Sequence, residues 1–263
     1  MVNQQPLQFY NEPLPGIDTT ELQGKLIVIE GPDAVGRSTQ IVRLRAWLEH
    51  QGHAVVDTGL ARSLLAEKGI AKAKQGNTLD PVTMTLFYAT DFADRLENEI
   101  VPALRAGFVV LTDRYIFSLI ARAIARGEDR SWIEKVAGFA LVPHAIYYLK
   151  AEVKHLVARV VLGSGAFDYW ESGMDMRFGH DRYESFVRYQ SRIIRALDGM
   201  ATKYGFQVVD ATRTPDAIFA ELQNSIGDLF ERPKKQRRIT RKAVQRQSQP
   251  KEARPVSRRD LGT

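Results

Sequence analysis

The chain has 263 residues, of which 44% are hydrophobic and 26% charged, which suffices for one sizeable folded domain with extra segments and excludes a fibrous or wholly disordered protein. It contains no cysteine, which excludes disulfides, thiolate zinc sites and cysteine nucleophiles and fits a reducing compartment, so we expect a cytoplasmic protein. The formal net charge is +6, and no apolar run approaches the roughly 20 residues that a membrane-spanning helix needs, so we expect no membrane segment.

Residues 1–23 contain three prolines and little hydrophobic periodicity. Prolines at this density interrupt helices and strands. We therefore predict an irregular N-terminal extension that packs on, or hangs from, the following domain. Its first residues have neither the basic start nor the apolar core of a signal peptide, so we expect none.

Short apolar runs bounded by turn residues recur along the rest of the chain. They lie at Lys25–Glu30, Ala54–Thr58, Phe108–Asp113, Ala145–Lys150 and Phe206–Asp210. Helical patterns separate these runs, and the alternation is typical of βαβ units. We therefore predict an α/β domain over residues 24–230, with a parallel five-stranded sheet flanked by helices.

Two helices have clear sequence signals. The helix after the first strand has an apolar stripe formed by Ile41, Leu44, Trp47 and Leu48. Gly52 follows this stripe, so we predict that the helix ends near it. The last helix should begin at Thr214-Pro215, because a capping residue before proline is a typical helix start, and its pattern stops after Phe230.

The basic charge of the chain lies at its end. Residues 231–263 carry 12 Lys and Arg and 3 Asp and Glu, a net charge of +9, whereas residues 1–230 carry 25 and 28, a net charge of −3. The segment is too polar to bury a core, so we predict a disordered basic tail. Such a tail can bind polyanions weakly through counterion release; a solubilising end without a partner is the alternative.

A glycine-rich loop joins the first strand to the amphipathic helix. Glycines in such a loop let successive backbone N–H groups converge on phosphate oxygens, and the helix N-terminus adds the positive end of its dipole. An ordinary strand-to-helix turn is the alternative interpretation. The sequence favours a P-loop NTPase-type three-layer fold, with ATP bound by Gly31, Pro32, Asp33, Ala34, Val35, Gly36, Arg37, Ser38 and Thr39.

Arg37 stands where such loops usually carry lysine. Arginine keeps the positive charge but is planar and multidentate, so we expect it to contact the phosphates differently from a lysine. The next residue, Ser38, has the hydroxyl that ligates Mg²⁺ in this motif.

Asp113 and Arg114 follow a second apolar strand. The carboxyl edge of a parallel sheet is where ligands of α/β proteins collect. We therefore predict that Asp113 holds Mg²⁺, together with Ser38, and that Arg114 faces the phosphate of a second substrate. A helix cap and a surface ion pair are the alternatives for these two residues.

Over residues 25–228 the sequence resembles the thymidylate kinase family. The matching segments are IEGPDAVGRSTQ, LFYATDFADRLENEIVPALRAG, DRYIFSLIA and RFGHDRYE, in the same order and at similar spacing. The resemblance implies ATP- and Mg²⁺-dependent phosphoryl transfer to a nucleoside monophosphate, with dTMP converted to dTDP. It also implies a homodimer.

The resemblance assigns further roles to individual residues. Asp33 would meet the sugar hydroxyl of the acceptor, and an aromatic ring would stack on its base. That ring is Tyr88, or Phe87 if the register slips by one residue. A lid at about residues 163–183 would clamp the phosphates with a catalytic arginine, and the alignment leaves Arg177 and Arg182 as candidates.

The sequence departs from the family pattern mainly at acceptor-binding positions. The usual Arg-Glu-Pro-Gly-Gly motif is replaced by a segment in which only Arg62 is a possible substitute. The usual base-contacting arginine aligns with Phe92, leaving Arg95 one turn later, and the usual Tyr-Gln pair is Arg122-Ala123. We predict that Arg62, Arg95, Arg114 and Arg122 contribute to acceptor binding.

Two alternative functions remain open at this stage. The changed acceptor positions favour a related P-loop kinase that uses another nucleotide or polyphosphate. Arg37 and the basic tail also fit a nucleotide-binding module with weakened catalysis. In the main interpretation, Arg37, Asp113 and Arg114 act in catalysis by positioning substrates and neutralising charge, without a covalent intermediate.

Overall fold

The computed structural model describes residues 6–76 and 80–231. Its sheet contains β1 (Lys25–Glu30), β2 (Val55–Gly59), β3 (Val109–Asp113), β4 (Ala145–Lys150) and β5 (Gln207–Asp210). The strand order is β2-β3-β1-β4-β5, and every neighbouring pair is parallel. The predicted α/β fold with a five-stranded parallel sheet is confirmed, and each strand lies within one residue of its predicted bounds.

Helices connect the strands and cover the sheet. They are α1 (Arg37–His50), α2 (Glu67–Gly76), α3 (Pro81–Arg95), α4 (Val101–Arg105), α5 (Ile116–Ala125), α6 (Arg130–Val136), α7 (Val153–Gly163), α8 (Arg182–Tyr204) and α9 (Pro215–Asp228). A π-helical segment, Leu96–Ile100, joins α3 to α4. Thr214 caps α9 through a hydrogen bond to the N–H of Ala217, which confirms the predicted start of the last helix.

Burial explains the sequence patterns of these elements. All five residues of β3, and all of β1 except Lys25, are buried, so these strands are apolar without alternation. On α1 the predicted stripe faces inward, with Trp47 partly buried and Ile41, Leu44 and Leu48 buried. Almost the whole of α5 is buried, and it packs along α8. This packing places the residues after β3 in the centre of the domain.

The N-terminal segment packs on the domain over its described part. Phe9 forms an antiparallel bridge with Leu141. The backbone N–H of Tyr10 donates to the carbonyl of Ala140 at 3.0 Å. A 3₁₀ turn at Thr19–Glu21, capped by Asp18, leads into β1. The sequence left open whether this extension packs on the domain or hangs from it; its described part packs on the domain.

Contacts divide the chain into residues 1–229 and residues 230–263. The predicted disordered tail, residues 231–263, lies outside the described residues apart from Glu231. Its disorder and its binding of polyanions stay predictions. Within the described ranges, no helix is both long enough and apolar enough to cross a bilayer.

Candidate active site

The segment Gly31–Thr39, here called the phosphate loop, connects β1 to α1. A Cβ on Gly31 would lie 2.6 Å from the carbonyl oxygen of Leu149, so only glycine fits there. Gly36 caps α1 with a left-handed φ of 98° and offers no side-chain cap. The first N–H groups of α1 are therefore not capped by a side chain, which is the arrangement that binds anions at helix N-termini.

Arg37 lies inside the phosphate loop and is buried. Its Nε donates to Asp113 Oδ1 at 2.7 Å, and its Nη1 donates to the carbonyl oxygen of Gly31 at 2.7 Å and to that of Pro32. The guanidinium thus joins the loop to the end of β3. A lysine has its three donors on a single nitrogen and could not place them at these two separate positions, so the substitution changes how the loop is held.

Ser38 and Asp113 meet on the same side of the loop. Ser38 Oγ lies 3.2 Å from Asp113 Oδ2, and Ser38 as a residue is exposed. Burial would raise the pKa of Asp113, but the guanidiniums of Arg37 and Arg114 outweigh it and hold that pKa below its ordinary value. We refer to Arg37, Ser38 and Asp113 as the Asp113 cluster.

Asp33 is the centre of a second group of polar side chains. Its carboxylate accepts hydrogen bonds from Arg114 Nη2, from Arg122 Nη2 at 3.3 Å and from Gln190 Nε2 at 2.8 Å. The Asp33 N–H donates to Gln190 Oε1 at 3.2 Å. We call these four residues the Asp33 cluster. They join the phosphate loop to β3, α5 and α8.

Electrostatics within the Asp33 cluster favour the charged forms. Burial raises the pKa of Asp33, but Arg114 and Arg122 exert the larger combined effect and hold it well below its ordinary value. Burial and the neighbouring charge of Arg37 lower the pKa of Arg114 to about 10, so it stays protonated near neutral pH. The cluster therefore brings two cationic groups and one anionic group to the carboxyl edge of the sheet.

Glu30 fixes the turn that carries Arg114. This carboxylate is fully buried and accepts hydrogen bonds from the N–H of Tyr115 at 2.7 Å, the N–H of Ser118 at 3.1 Å and the hydroxyl of Ser118 at 2.7 Å. Burial raises its pKa. Ser118 Oγ also accepts a bond from Arg114 Nη1 at 3.0 Å, so Glu30 orients Arg114 through Ser118.

Strained backbone is concentrated in this region. Within residues 6–76 and 80–231, four non-glycine residues have positive φ: Ala34 (60°), Ala61 (60°), Arg114 (72°) and Arg177 (52°). All four lie in segments that the sequence assigned to substrate binding or to the lid. Such conformations cost free energy and persist where surrounding contacts hold them, as is common at functional sites.

One cleft, of about 390 Å³, lies between α6 and the end of α8, away from the phosphate loop. Another cleft, of about 320 Å³, lies beside the Asp33 cluster. We call the latter the Tyr88 cleft. Tyr88 lines it, whereas the ring of Phe87 packs beside Gly69 of α2. The geometry therefore favours Tyr88 over Phe87 as the stacking residue. The lining residues are Lys74, Met84, Tyr88, Arg122, Arg126, Asp168, Trp170 and Glu171.

Two other predicted acceptor residues have different surroundings. Arg62 is exposed at the end of β2, and its guanidinium carbon lies 3.3 Å from where a Cβ on Gly59 would sit. Arg95 is fully buried, and its Nε donates to Asp91 Oδ2 at 3.1 Å. In this arrangement Arg95 cannot touch a ligand in the cleft, so any effect on binding is indirect. Phe92 is also enclosed, packed edge-on against Tyr115.

The predicted lid, residues 163–183, lies between α7 and α8 and contains a 3₁₀ turn at Met174–Met176. Arg177 ends this turn and is exposed. Arg182 is also exposed, at the start of α8, where Nη1 donates to the carbonyl of Phe167 at 3.3 Å. Arg126, which follows α5 directly, holds the turn through Asp175, with Nε 3.1 Å from Oδ2. Neither lid arginine contacts the phosphate loop in this structure.

The sequence did not single out three residues that support the site. Glu30 ends an apolar strand as Asp113 does, so the same signal could have found it. Gln190 of the Asp33 cluster lies within α8 and belongs to no motif. Arg159 of α7 donates to the carbonyl of Val35 at 2.6 Å and to that of Ala211 at 2.5 Å, tying the phosphate loop to the end of β5.

Comparison with known proteins gives a consistent result. A family profile described as "Thymidylate kinase" matches residues 29–222. "Probable thymidylate kinase 2" of Saccharolobus solfataricus is 31% identical over 211 residues, which are 80% of this chain and 99% of the relative. "Thymidylate kinase" of Bifidobacterium longum is 32% identical over 221 residues, 79% of this chain and 100% of the relative. "Probable thymidylate kinase" of Thermococcus kodakarensis is 34% identical over 143 residues, which are 51% of this chain and 70% of the relative. The matched range includes both clusters.

The electrostatics of Asp33 predict a pH effect on stability. Because its folded-state pKa lies below the ordinary value of 3.8, its contribution to the free energy of unfolding is complete above that pH and is lost as the pH falls below it. As the pH falls below about 4, urea unfolding should show a steeper loss of stability for the unmodified protein than for Asp33→Asn.

Asp216→Asn is the control for this experiment, because it removes an exposed carboxylate from α9. Its stability should follow that of the unmodified protein across the acid range. Parallel curves for Asp33→Asn and the unmodified protein would contradict the described charge balance.

Proposed function

This chain belongs to the thymidylate kinase family and is a nucleoside monophosphate kinase, and from that premise we propose that it transfers the γ-phosphoryl group of ATP to dTMP, giving ADP and dTDP, with Mg²⁺ as cofactor. The observation that carries this proposal is the convergence of the Asp113 and Asp33 clusters on the phosphate loop. Arg37 connects the loop to Asp113 at 2.7 Å, and Asp33 connects it to Arg122 at 3.3 Å. One loop therefore has a phosphate-binding side and a side that continues into the Tyr88 cleft.

The Asp113 cluster fits Mg²⁺. Ser38 Oγ and Asp113 Oδ2 are hard oxygen donors 3.2 Å apart, and Ser38 is an exposed residue. Within the described ranges, no group of three or more His, Cys, Asp or Glu side chains is arranged to hold a metal without other ligands. This agrees with the usual magnesium site of kinases, where one or two protein oxygens are completed by substrate phosphates and water. Magnesium bound there would neutralise phosphate charge during transfer.

The phosphoryl transfer follows from these positions. An oxygen of the acceptor phosphate attacks the γ-phosphorus of ATP, and the bond from that phosphorus to the β-phosphate bridging oxygen breaks, so no covalent enzyme intermediate is needed. In the proposal, the backbone N–H groups of residues 31–39 and the Arg37 guanidinium hold the donor. Arg114 and Arg62 hold the acceptor phosphate, and Asp33 accepts a bond from the sugar hydroxyl. Catalysis then rests on alignment and charge neutralisation.

The Tyr88 cleft supports a nucleoside as the acceptor. Tyr88 lines the cleft, and the cations of Lys74 and Arg122 lie over its ring, 5.5 Å and 6.0 Å from the centroid, so a base that stacks there would have both donors next to it. Donor groups at the edge of a stacked base suit the carbonyl oxygens of a pyrimidine. Phe92 stands where the family usually has a base-contacting arginine and is buried in the core, so that contact is missing. This last feature favours a related kinase with a different acceptor as the second candidate function.

A homodimer in the cytoplasm is part of the proposal. It is supported by family membership and by exposed apolar side chains on one stretch of the chain. Leu64 and Leu65 precede α2, and Val82 and Leu86 lie on the outer face of α3; all four are exposed. Burying such a group of side chains between two copies would remove apolar area from water.

A panel of acceptors tests the proposed function. Purified protein is supplied with ATP and Mg²⁺ and with dTMP, dUMP, dCMP, dGMP, dAMP or inorganic polyphosphate, and ADP formation is measured. We expect dTMP to give the highest kcat/KM, as the family membership suggests, and dUMP to exceed the remaining acceptors, because the Tyr88 cleft matches a pyrimidine with two carbonyl groups. A clear preference for polyphosphate or a purine nucleotide would favour the second candidate, and ADP formation without any acceptor would contradict both.

The lid arginines provide a second test. Arg177→Ala and Arg182→Ala are compared with Arg45→Ala, an exposed arginine on α1 that pairs with Glu49. At least one lid variant should lose more than about tenfold in kcat, roughly 1.4 kcal/mol of transition-state stabilisation, because a closed lid brings its cation to the transferring group. The control should stay within about twofold of the unmodified rate. Full activity in both lid variants would remove the lid from the mechanism.

A further inference from the structure

A buried ion pair lies on α3, the helix that also carries Tyr88. Asp91 and Arg95 of α3 both have 0% exposed surface, and Arg95 Nε lies 3.1 Å from Asp91 Oδ2. Arg95 Nη1 donates weakly to Thr58 Oγ1 at 3.4 Å, and its Nη2 is buried with no partner among the described residues. A buried pair of this kind is often less stabilising than apolar residues of equal volume. Its presence therefore calls for a role other than stability.

Both oxygens of the Asp91 carboxylate bind the segment after β2. Asp91 Oδ2 accepts the N–H of Ala61 at 2.9 Å, and Asp91 Oδ1 accepts the N–H of Ser63 at 2.8 Å. One carboxylate thus holds the residues on both sides of Arg62. Ala61 has a left-handed φ of 60°, a conformation that an alanine keeps only when neighbouring contacts hold it.

Arg62, the residue between Ala61 and Ser63, lies beside the proposed reaction centre. Gly59 pairs with Asp113 in the sheet, and the Arg62 guanidinium folds over Gly59, with Nε and the guanidinium carbon each 3.3 Å from its Cβ position. Arg62 is also exposed, so a ligand at the sheet edge can reach it. The side chain itself has no hydrogen bond within the described structure that would fix its direction. Its backbone is what Asp91 fixes.

We propose that Asp91, oriented by Arg95, is a positioning residue that holds the 61–63 backbone so that Arg62 faces the phosphate of the acceptor. This inference rests on the proposed function, because it needs an acceptor phosphate at the carboxyl edge of the sheet. It gives Arg95 an indirect role: the guanidinium fixes the carboxylate, and the carboxylate fixes the loop. The donor site is not involved, so ATP binding should be insensitive to the pair.

A double-mutant cycle tests the proposal. The proteins are the unmodified chain, Asp91→Asn, Arg62→Ala and the double variant, and the dTMP dissociation constant and the KM values for dTMP and ATP are measured. We expect each single variant to weaken dTMP binding at least tenfold and to change the ATP KM less than twofold. If Asp91 acts through Arg62, the double variant should be no more than about threefold weaker than Arg62→Ala alone.

Two further variants separate positioning from general destabilisation. Asp91→Glu keeps the charge opposite Arg95 but shifts the carboxylate, so it should weaken dTMP binding even if Asp91→Asn does not fold. Leu222→Ala removes a fully buried side chain from α9; it should lower the Tm while leaving the dTMP dissociation constant unchanged. Amide exchange at Ala61 and Ser63 should become faster in both Asp91 variants and stay unchanged in Leu222→Ala.

The outcomes are distinguishable. Three results would overturn the positioning role. The first is a loss of dTMP affinity in the double variant that equals the product of the losses in the two single variants. The others are equal losses of dTMP and ATP binding, and unchanged amide exchange at Ala61 and Ser63. If the unmodified protein binds dTMP and the cycle is non-additive, but no dTDP forms, the proposed function fails while the positioning role stands.

Discussion

The geometry of the site depends on a backbone that turns through left-handed conformations at the end of β1. Gly31, Ala34 and Gly36 all have positive φ, and their turn lets α1 start with N–H groups that no side chain caps. These groups and the positive end of the helix dipole attract anions whatever the neighbouring side chains are. The two clusters then add cations and a carboxylate at fixed places around the same loop.

Charge balance explains why so many ionised groups can be buried there. Arg37 pairs with Asp113, and Asp33 is shared by Arg114 and Arg122. Each carboxylate lowers the cost of burying its neighbouring guanidinium, and each guanidinium keeps a carboxylate ionised. A phosphate that enters the loop competes with these carboxylates for the guanidiniums. Arg37 in the lysine position extends this network, because it bonds to loop carbonyls and to β3 at the same time.

Local patterns were enough to predict much of this arrangement. Short apolar runs bounded by turn residues predicted the strands, and the glycine spacing before an amphipathic helix predicted the phosphate loop. Both signals extend over only a few residues. Gln190 and Asp91 could not be found in this way, because their roles depend on which distant backbone N–H groups the fold brings to them. The packing of α3 brings Tyr88, rather than Phe87, to the Tyr88 cleft and encloses Arg95. Such results follow from helix packing, which a local pattern does not contain.

The central claim is that the phosphate loop binds a nucleoside triphosphate together with Mg²⁺. Titration calorimetry of the unmodified protein with ATP, in the presence and absence of Mg²⁺, tests this directly and does not require turnover. We expect ATP to bind saturably at one site, and to bind more tightly when Mg²⁺ is present, because Ser38 and Asp113 complete the cation's ligands. No detectable binding at millimolar ATP with Mg²⁺ supplied would contradict it.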